Sequence, residues 1–157
     1  ALYSKHAVTV EKVHHLWVRD RTFPGEADWV IEPRACLQSV TNGIRVFSLH
    51  FSTVPDIQYK QAEQVASEIK SHNDLPTIVL GDFNNSYFSD ALKPLTFLTN
   101  GLASIEPAYT YPNGQRANDD IDHILLSSHF KVLGAQIIID NEGISDHNPI
   151  ICDVELI

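Results

Sequence analysis

The dipeptide Asn42-Gly43 stands between two apolar runs, Ala35-Cys36-Leu37-Gln38-Ser39-Val40 and Ile44-Arg45-Val46-Phe47-Ser48-Leu49-His50-Phe51. No other feature constrains the fold as tightly. Both central positions of a two-residue hairpin turn need φ > 0, which Asn and Gly tolerate, so the two runs are predicted to pair antiparallel. His14 to Val18 reads as a strand before them, with Leu2-Tyr3-Ser4 strand-like at the front. Pro55-Asp56 then opens a helix: Ile57, Ala62, Val65, Ala66 and Ile69 share one face, Asp56 is a suitable N-cap, and the end is expected near His72-Asn73. Pro76 to Leu80 is a short run of β-formers before Gly81, as in a strand buried on both faces. Ser89 is expected to cap a short helix through Ala91 and Leu92 that Pro94 ends, and Gly101 marks a turn. Ile121 to Ser127, Val132 to Ile139 and Pro149 to Leu156 read as late strands. Strands predominate and one long helix connects two of them, which predicts an α/β or α+β fold in packed layers.

No repeat or linker breaks the chain, so residues 1–157 read as one domain. Hydrophobic residues make up 43% and charged ones 20%, a mix that excludes long disorder. No run approaches the ~20 apolar residues of a membrane helix and no leader is visible, so the chain reads as soluble, without a compartment assigned. Lys plus Arg is 11 against 20 Asp plus Glu, a net charge of −9, which removes the basic stripe behind nonspecific nucleic-acid affinity. Cys36 and Cys152 are too few for a disulfide framework or a zinc site and are expected as buried apolar side chains. Residue 1 is Ala and Met is absent. The chain is therefore read as a processed or recombinant product, or as one piece of a longer polypeptide.

Chemistry gathers at strand ends. Leu80-Gly81-Asp82-Phe83-Asn84, Ile121-Asp122-His123-Ile124-Leu125 and Ser145-Asp146-His147-Asn148-Pro149-Ile150 put carboxylate, amide and imidazole groups beside apolar runs, and His50 ends a fourth. A phosphoester hydrolase needs hard oxygen ligands for Mg²⁺, donors that neutralise a pentavalent phosphate, and a base for water. Asp82 and Asn84 straddle Phe83, and continued strand geometry would send both to one face. His123 alternates with Asp122 and should point away, so it is left out. His14, His15, His72 and His129 have no carboxylate at a useful spacing and are expected at the surface or at strand ends.

Gly81-Asp82-Phe83-Asn84, Ile121-Asp122 and Ser145-Asp146-His147, in this order, resemble the signatures of the endonuclease/exonuclease/phosphatase superfamily, the deoxyribonuclease I-like metallohydrolases. The resemblance runs from Leu2 to Ile150 and implies part of a four-layer α/β/β/α sandwich. It further implies that Asp82 orients or deprotonates the attacking water, that Asn84 and His147 bind the phosphate, and that Asp122 holds the other nitrogen of His147. Asp146 would lie beside the metal, Mg²⁺ with Mn²⁺ as the alternative, which Asp82 would share. His50 matches a second histidine that protonates the leaving oxygen. The substrate would be a phosphoester: nucleic acid, a lipid headgroup, or a sugar or inositol phosphate.

The departures carry weight. The family's first strands hold an Asn and a metal-binding Glu with no counterpart here, since Glu11 comes too late and in the wrong context. Asp120 replaces a common basic residue, and His123 a common aromatic. The chain is therefore expected to be the C-terminal portion of such a domain, inactive until an N-terminal segment or second chain completes it. The reading from another class is an inactive binding or assembly module on the same fold. Trp17 and Trp29 are expected in the core or at its rim, Arg19 to Asp28 as a loop overhanging the site, and Asn118-Asp119-Asp120 as a solvated turn.

Overall fold

The computed structural model describes residues 3–27, 31–139 and 142–157. Its strands and long helix follow in the order β1 (Val8–His15), β2 (Ala35–Thr41), β3 (Ile44–His50), α1 (Pro55–Ser71), β4 (Thr77–Asp82), β5 (Thr99–Asn100), β6 (Asp122–Leu126), β7 (Phe130–Ile137) and β8 (Ile150–Leu156). Six strands form a sheet in the order β1-β2-β3-β4-β6-β5, while β7 and β8 pair with each other. The class is α/β, as expected. Thr41 pairs with Ile44 across the Asn42-Gly43 turn, both turn residues have φ > 0, and β2 and β3 run antiparallel from there. β3 and β4 are parallel, and α1 supplies the crossover that such a pair requires.

The helix buries the predicted face, Ile57, Ala62, Val65, Ala66 and Ile69. Ala62, Val65, Ala66 and Ile69 join Phe47, Leu49, Phe51, Val79, Phe83 and Leu125 of the sheet and its loops in one cluster. Phe83 is fully buried there, edge-on to Phe51 at 5.4 Å and to His123 at 5.3 Å. Phe83→Ala is expected to lower stability by ~3–5 kcal/mol, read by denaturant titration.

Several boundaries differ from the sequence reading, each for a local reason. The first strand is Val8–His15, because its register on β2 runs from Val8–Thr41 to His15–Ala35 and leaves Leu16 free to enter the core. Trp17 sits half-exposed at the rim; Trp29 and Asp28 lie outside the described residues. Tyr3 and Ser4 are outside any strand, and Leu2 is not among the described residues. Val54 is the helix N-cap, since Pro55 takes the first helical position, where its missing N–H costs nothing. The segment Asp90–Leu95 is 3₁₀ and contains Pro94. Arg19 forks onto Glu26 at 2.9 and 3.0 Å and stacks over Phe23, tying the loop that follows β1. His14 stands at the end of β1, one of the two places expected for it, and is buried there, with Nε2 2.7 Å from Gln38 Oε1. Cys36 is buried, which pushes its thiol up to about 12, whereas Cys152 is only part-buried.

Arg45 anchors the end of the sheet away from these strand ends. Its Nε lies 3.0 Å from Glu11 Oε2, and its Nη1 donates to Asp74 Oδ1 (2.7 Å) and the His72 carbonyl (2.8 Å). The Arg45 hydrogen bonds hold the Glu11 and Asp74 carboxyls below their ordinary values. A depressed carboxylate contributes stability above its unfolded pKa and loses it as pH falls through the folded one. The chain is therefore expected to lose stability as pH drops below about 4. Arg45→Met should flatten that limb, and equal acid sensitivity in denaturant titrations of both proteins would refute the assignment.

Candidate active site

Register builds the site. β3 and β4 pair with His50 beside Asp82, and β4 and β6 pair with Asp82 beside Asp122, so three strand ends deliver one row. Side chains alternate along each strand, and Phe47, Val79 and Leu125 belong to the helix-facing cluster. His50, Asp82 and Asp122 therefore leave on the other face.

His147, in the segment entering β8, completes the group. Its Nδ1 is 2.6 Å from Asp122 Oδ2, and its Nε2 is 3.9 Å from Asp82 Oδ2. His50 Nε2 lies 3.3 Å from that same Asp82 oxygen, so Asp82 Oδ2 stands between two imidazoles. Beside them opens a cleft of about 370 Å³, whose lining includes Leu80, Ile124, Pro149 and Ile150.

The loop carrying Asn84 departs from the sequence expectation. The strand ends at Asp82, and Asn84 takes a left-handed conformation at φ 52° instead of continuing it. Asp82 Oδ1 accepts the Asn84 N–H at 2.8 Å, a turn closed by the carboxylate itself. The Asn84 amide donates to the Phe51 carbonyl at 2.9 Å. An amide NH₂ has two hydrogens, so one remains for a ligand.

Supports that sequence reasoning missed hold this loop. Gln58, buried on α1, donates to the Asn84 carbonyl (2.8 Å) and accepts from the Asn85 amide (2.9 Å). His123, buried behind the row as its alternation predicts, bonds the Asn85 carbonyl through Nε2 (2.8 Å). Asn148 is buried and exchanges hydrogen bonds with Gly114 at 2.7 and 3.0 Å, pinning the His147 segment. Arg34 was missed too, with Nη1 3.0 Å from both His50 ring nitrogens. The hairpin could have revealed it: counting back from the Asn42-Gly43 turn sets Cys36 opposite Leu49, so Arg34 reaches the His50 end.

The charges are unequal in character. Burial raises the Asp82 carboxyl above its ordinary value, opposed by the Asn84 N–H and reinforced by Asp122. Burial pulls the His147 imidazole down, but the Asp122 hydrogen bond and the charges of Asp122, Asp82 and Asp146 outweigh it and hold it above its ordinary value. Burial, aided by Arg34 and opposed by Asp82, holds His50 below its ordinary value. Asp82, Asp122 and His147 form the group of described residues able to surround a cation, their ligand atoms within 4.8 Å of one another. The two carboxylates suit a hard divalent ion. His147 Nδ1 is engaged by Asp122, which leaves Nε2 as the ring atom that could face an ion. Asp146 is exposed and outside this group, and its carbonyl accepts the Asn113 N–H (2.8 Å).

Fold and site together define an α/β domain whose strand ends bring Asp82, Asp122 and two imidazoles together beside a cleft that Asp122 and His147 line. The chain belongs to the Endonuclease/Exonuclease/phosphatase family, whose model matches residues 1–147. Comparison with curated proteins gives no match. Among solved structures, an endonuclease/exonuclease/phosphatase from Bacteroides vulgatus is 23% identical with a TM-score of 0.69, covering 98% of this chain and 68% of that one. The mannosyl-6-phosphatase of Bacteroides thetaiotaomicron VPI-5482 is 18% identical with a TM-score of 0.71, covering 95% and 67%. A 3′ phosphatase, NExo, from Neisseria, bound to product DNA hairpin, is 19% identical with a TM-score of 0.62, covering 94% and 72%. These likenesses show the shared fold, and the chain spans about two thirds of the length of the first two structures. No described helix is long and apolar enough to cross a membrane.

Proposed function

We propose that the chain carries the acid-base and phosphate-binding half of a Mg²⁺-dependent phosphoester hydrolase. One observation carries this reading: Asp82 Oδ2 stands between His50 and His147, with Asp122 behind His147 at 2.6 Å. Asp82, its pKa raised by burial, takes a proton from the attacking water. His147, kept protonated by Asp122, and the free hydrogen of the Asn84 amide bind the non-bridging oxygens as charge develops there. His50, 3.3 Å from the same Asp82 oxygen, serves as the donor to the leaving oxygen. Asp146 contributes its charge to His147. Asp82 and Asp122 would hold Mg²⁺, with Mn²⁺ as the substitute, and the ion would neutralise phosphate charge as a Lewis acid.

Two carboxylates are few ligands for such an ion, and structures of this fold run half as long again, which supports a further segment completing the domain. The mannosyl-6-phosphatase and the 3′ phosphatase among the similar structures support a phosphoester substrate. The test is Mg²⁺-dependent hydrolysis of bis(p-nitrophenyl) phosphate and p-nitrophenyl phosphate, with intact mass measured on the same sample. His147→Ala is expected to lower turnover by ~10²-fold or more. Unchanged turnover in this variant would remove its role, and binding without any hydrolysis by the wild type would favour the binding-module reading.

A further inference from the structure

Carboxylates flank each group that the hydrolase reading sets against the phosphate. Asp120 accepts the Ser86 hydroxyl at 2.9 Å, and the Ile121 carbonyl next to it accepts the Phe83 N–H at 2.8 Å, so a half-buried charge is fastened to the loop that carries Asn84. Asp119 is exposed one residue earlier, its backbone paired with Tyr111, whose ring centroid lies 5.0 Å from that of His147. On the His50 side Glu32 lies 2.9 Å from Arg34. Among the described residues Arg34 is the only Lys or Arg that hydrogen-bonds or ion-pairs with His50, Asp82, Asn84, Asp122 or His147, and Glu32 takes up its charge. A polynucleotide is held chiefly by Lys and Arg that neutralise its successive phosphates. Here the positions beside the reacting phosphate offer carboxylates, whose fields add over the site.

We propose that Asp119 and Asp120 set the specificity of this site: they admit a small ester of an uncharged alcohol, in which the reacting phosphate is the only charge, and turn away a polynucleotide. The inference rests on the hydrolase reading and narrows its substrate. The charge of Asp120 carries the effect, not its hydrogen bond, because an amide at that position keeps an oxygen for the Ser86 hydroxyl.

The test is fluorescence anisotropy of a labelled single strand of about 12 nucleotides with a 3′-terminal phosphate, titrated with the full chain in Mg²⁺. Wild type is compared with Asp119→Lys/Asp120→Asn, and with Asp153→Lys/Glu155→Gln, the same change of charge on exposed positions of β8. Thermal melts verify folding, and Asp119→Asn/Asp120→Asn decides if the first variant does not fold. The site variant is expected to bind the strand about 10-fold tighter than wild type, the β8 variant within about 2-fold of it. A site variant that binds no tighter than wild type, or a β8 variant that gains as much, overturns the proposal. Phosphate release from glycerol phosphate and from the strand is followed in parallel. Wild-type release from the strand as efficient as from glycerol phosphate also overturns the proposal but leaves the hydrolase reading standing. Hydrolysis of no ester by the wild type does the reverse, and anisotropy then decides the exclusion by itself.

Discussion

Asp82→Asn is expected to lower Mg²⁺-dependent turnover of an activated phosphodiester by ~10²–10⁴-fold. The amide keeps an oxygen to accept the Asn84 N–H, so the turn that places Asn84 should survive. It also removes a buried charge facing Asp122, one that pushes the Asp82 carboxyl upward. Thermal stability is therefore expected to stay level or rise while activity falls, the usual trade between a strained site and its function. The pH profile carries the sign of each group. Asp82 must be ionised, so the rate rises with pH through a value above that carboxyl's ordinary one. His147 must be protonated, so the rate falls through a value above the ordinary imidazole one. His50, the donor to the leaving oxygen, must be protonated as well and is held below its ordinary value, so it sets the first fall of the alkaline limb, and His50→Ala should remove that fall and leave the acid limb. An Asp82→Asn variant as active as wild type, or a wild-type profile flat across both limbs, would sink the assignment.

Gly81→Ala is expected to prevent folding or to cost more than ~4 kcal/mol. Gly81 has φ 144°, a conformation that side chains rarely adopt, and a Cβ there would overlap the Leu49 carbonyl oxygen. That oxygen belongs to the backbone of the neighbouring parallel strand, so it cannot swing aside as a long side chain would. The same close approach keeps β3 against β4 where His50 meets Asp82. Gly134 is the control: an added Cβ meets nothing within 4 Å, and Gly134→Ala is expected to stay within about 0.5 kcal/mol of wild type. Circular dichroism and denaturant melts of both variants decide it; a well-folded, active Gly81→Ala protein would refute the steric argument.

Much of this was legible from local chemistry. Asn42-Gly43 announced its hairpin, the spacing of Ile57 to Ile69 announced the helix face, and Asp82, Asp122 and His147 stood at the ends of apolar runs and do meet. Other parts depend on distance in space. Whether Asn84 continues a strand is decided by Asp82 folding back on its N–H and by Gln58 reaching from α1, and neither leaves a trace in the spacing of the loop. His14 looked unpartnered because Gln38 lies across the β1–β2 pairing. β1 itself was misplaced because Val8, Val10 and Val13 are exposed, so its apolar positions did not mark the buried run.

The side chains that meet at Asp82 come from positions 50, 122 and 147, drawn together from distant parts of the chain. Closing loops of that length costs entropy before any contact repays it, and such long-range closures slow folding. No single hairpin or helix holds the constellation, so it exists only once the whole sheet has registered. Recovery of activity on refolding would then lag the return of helical signal, and catalysis would serve as a more stringent gauge of complete folding than secondary structure.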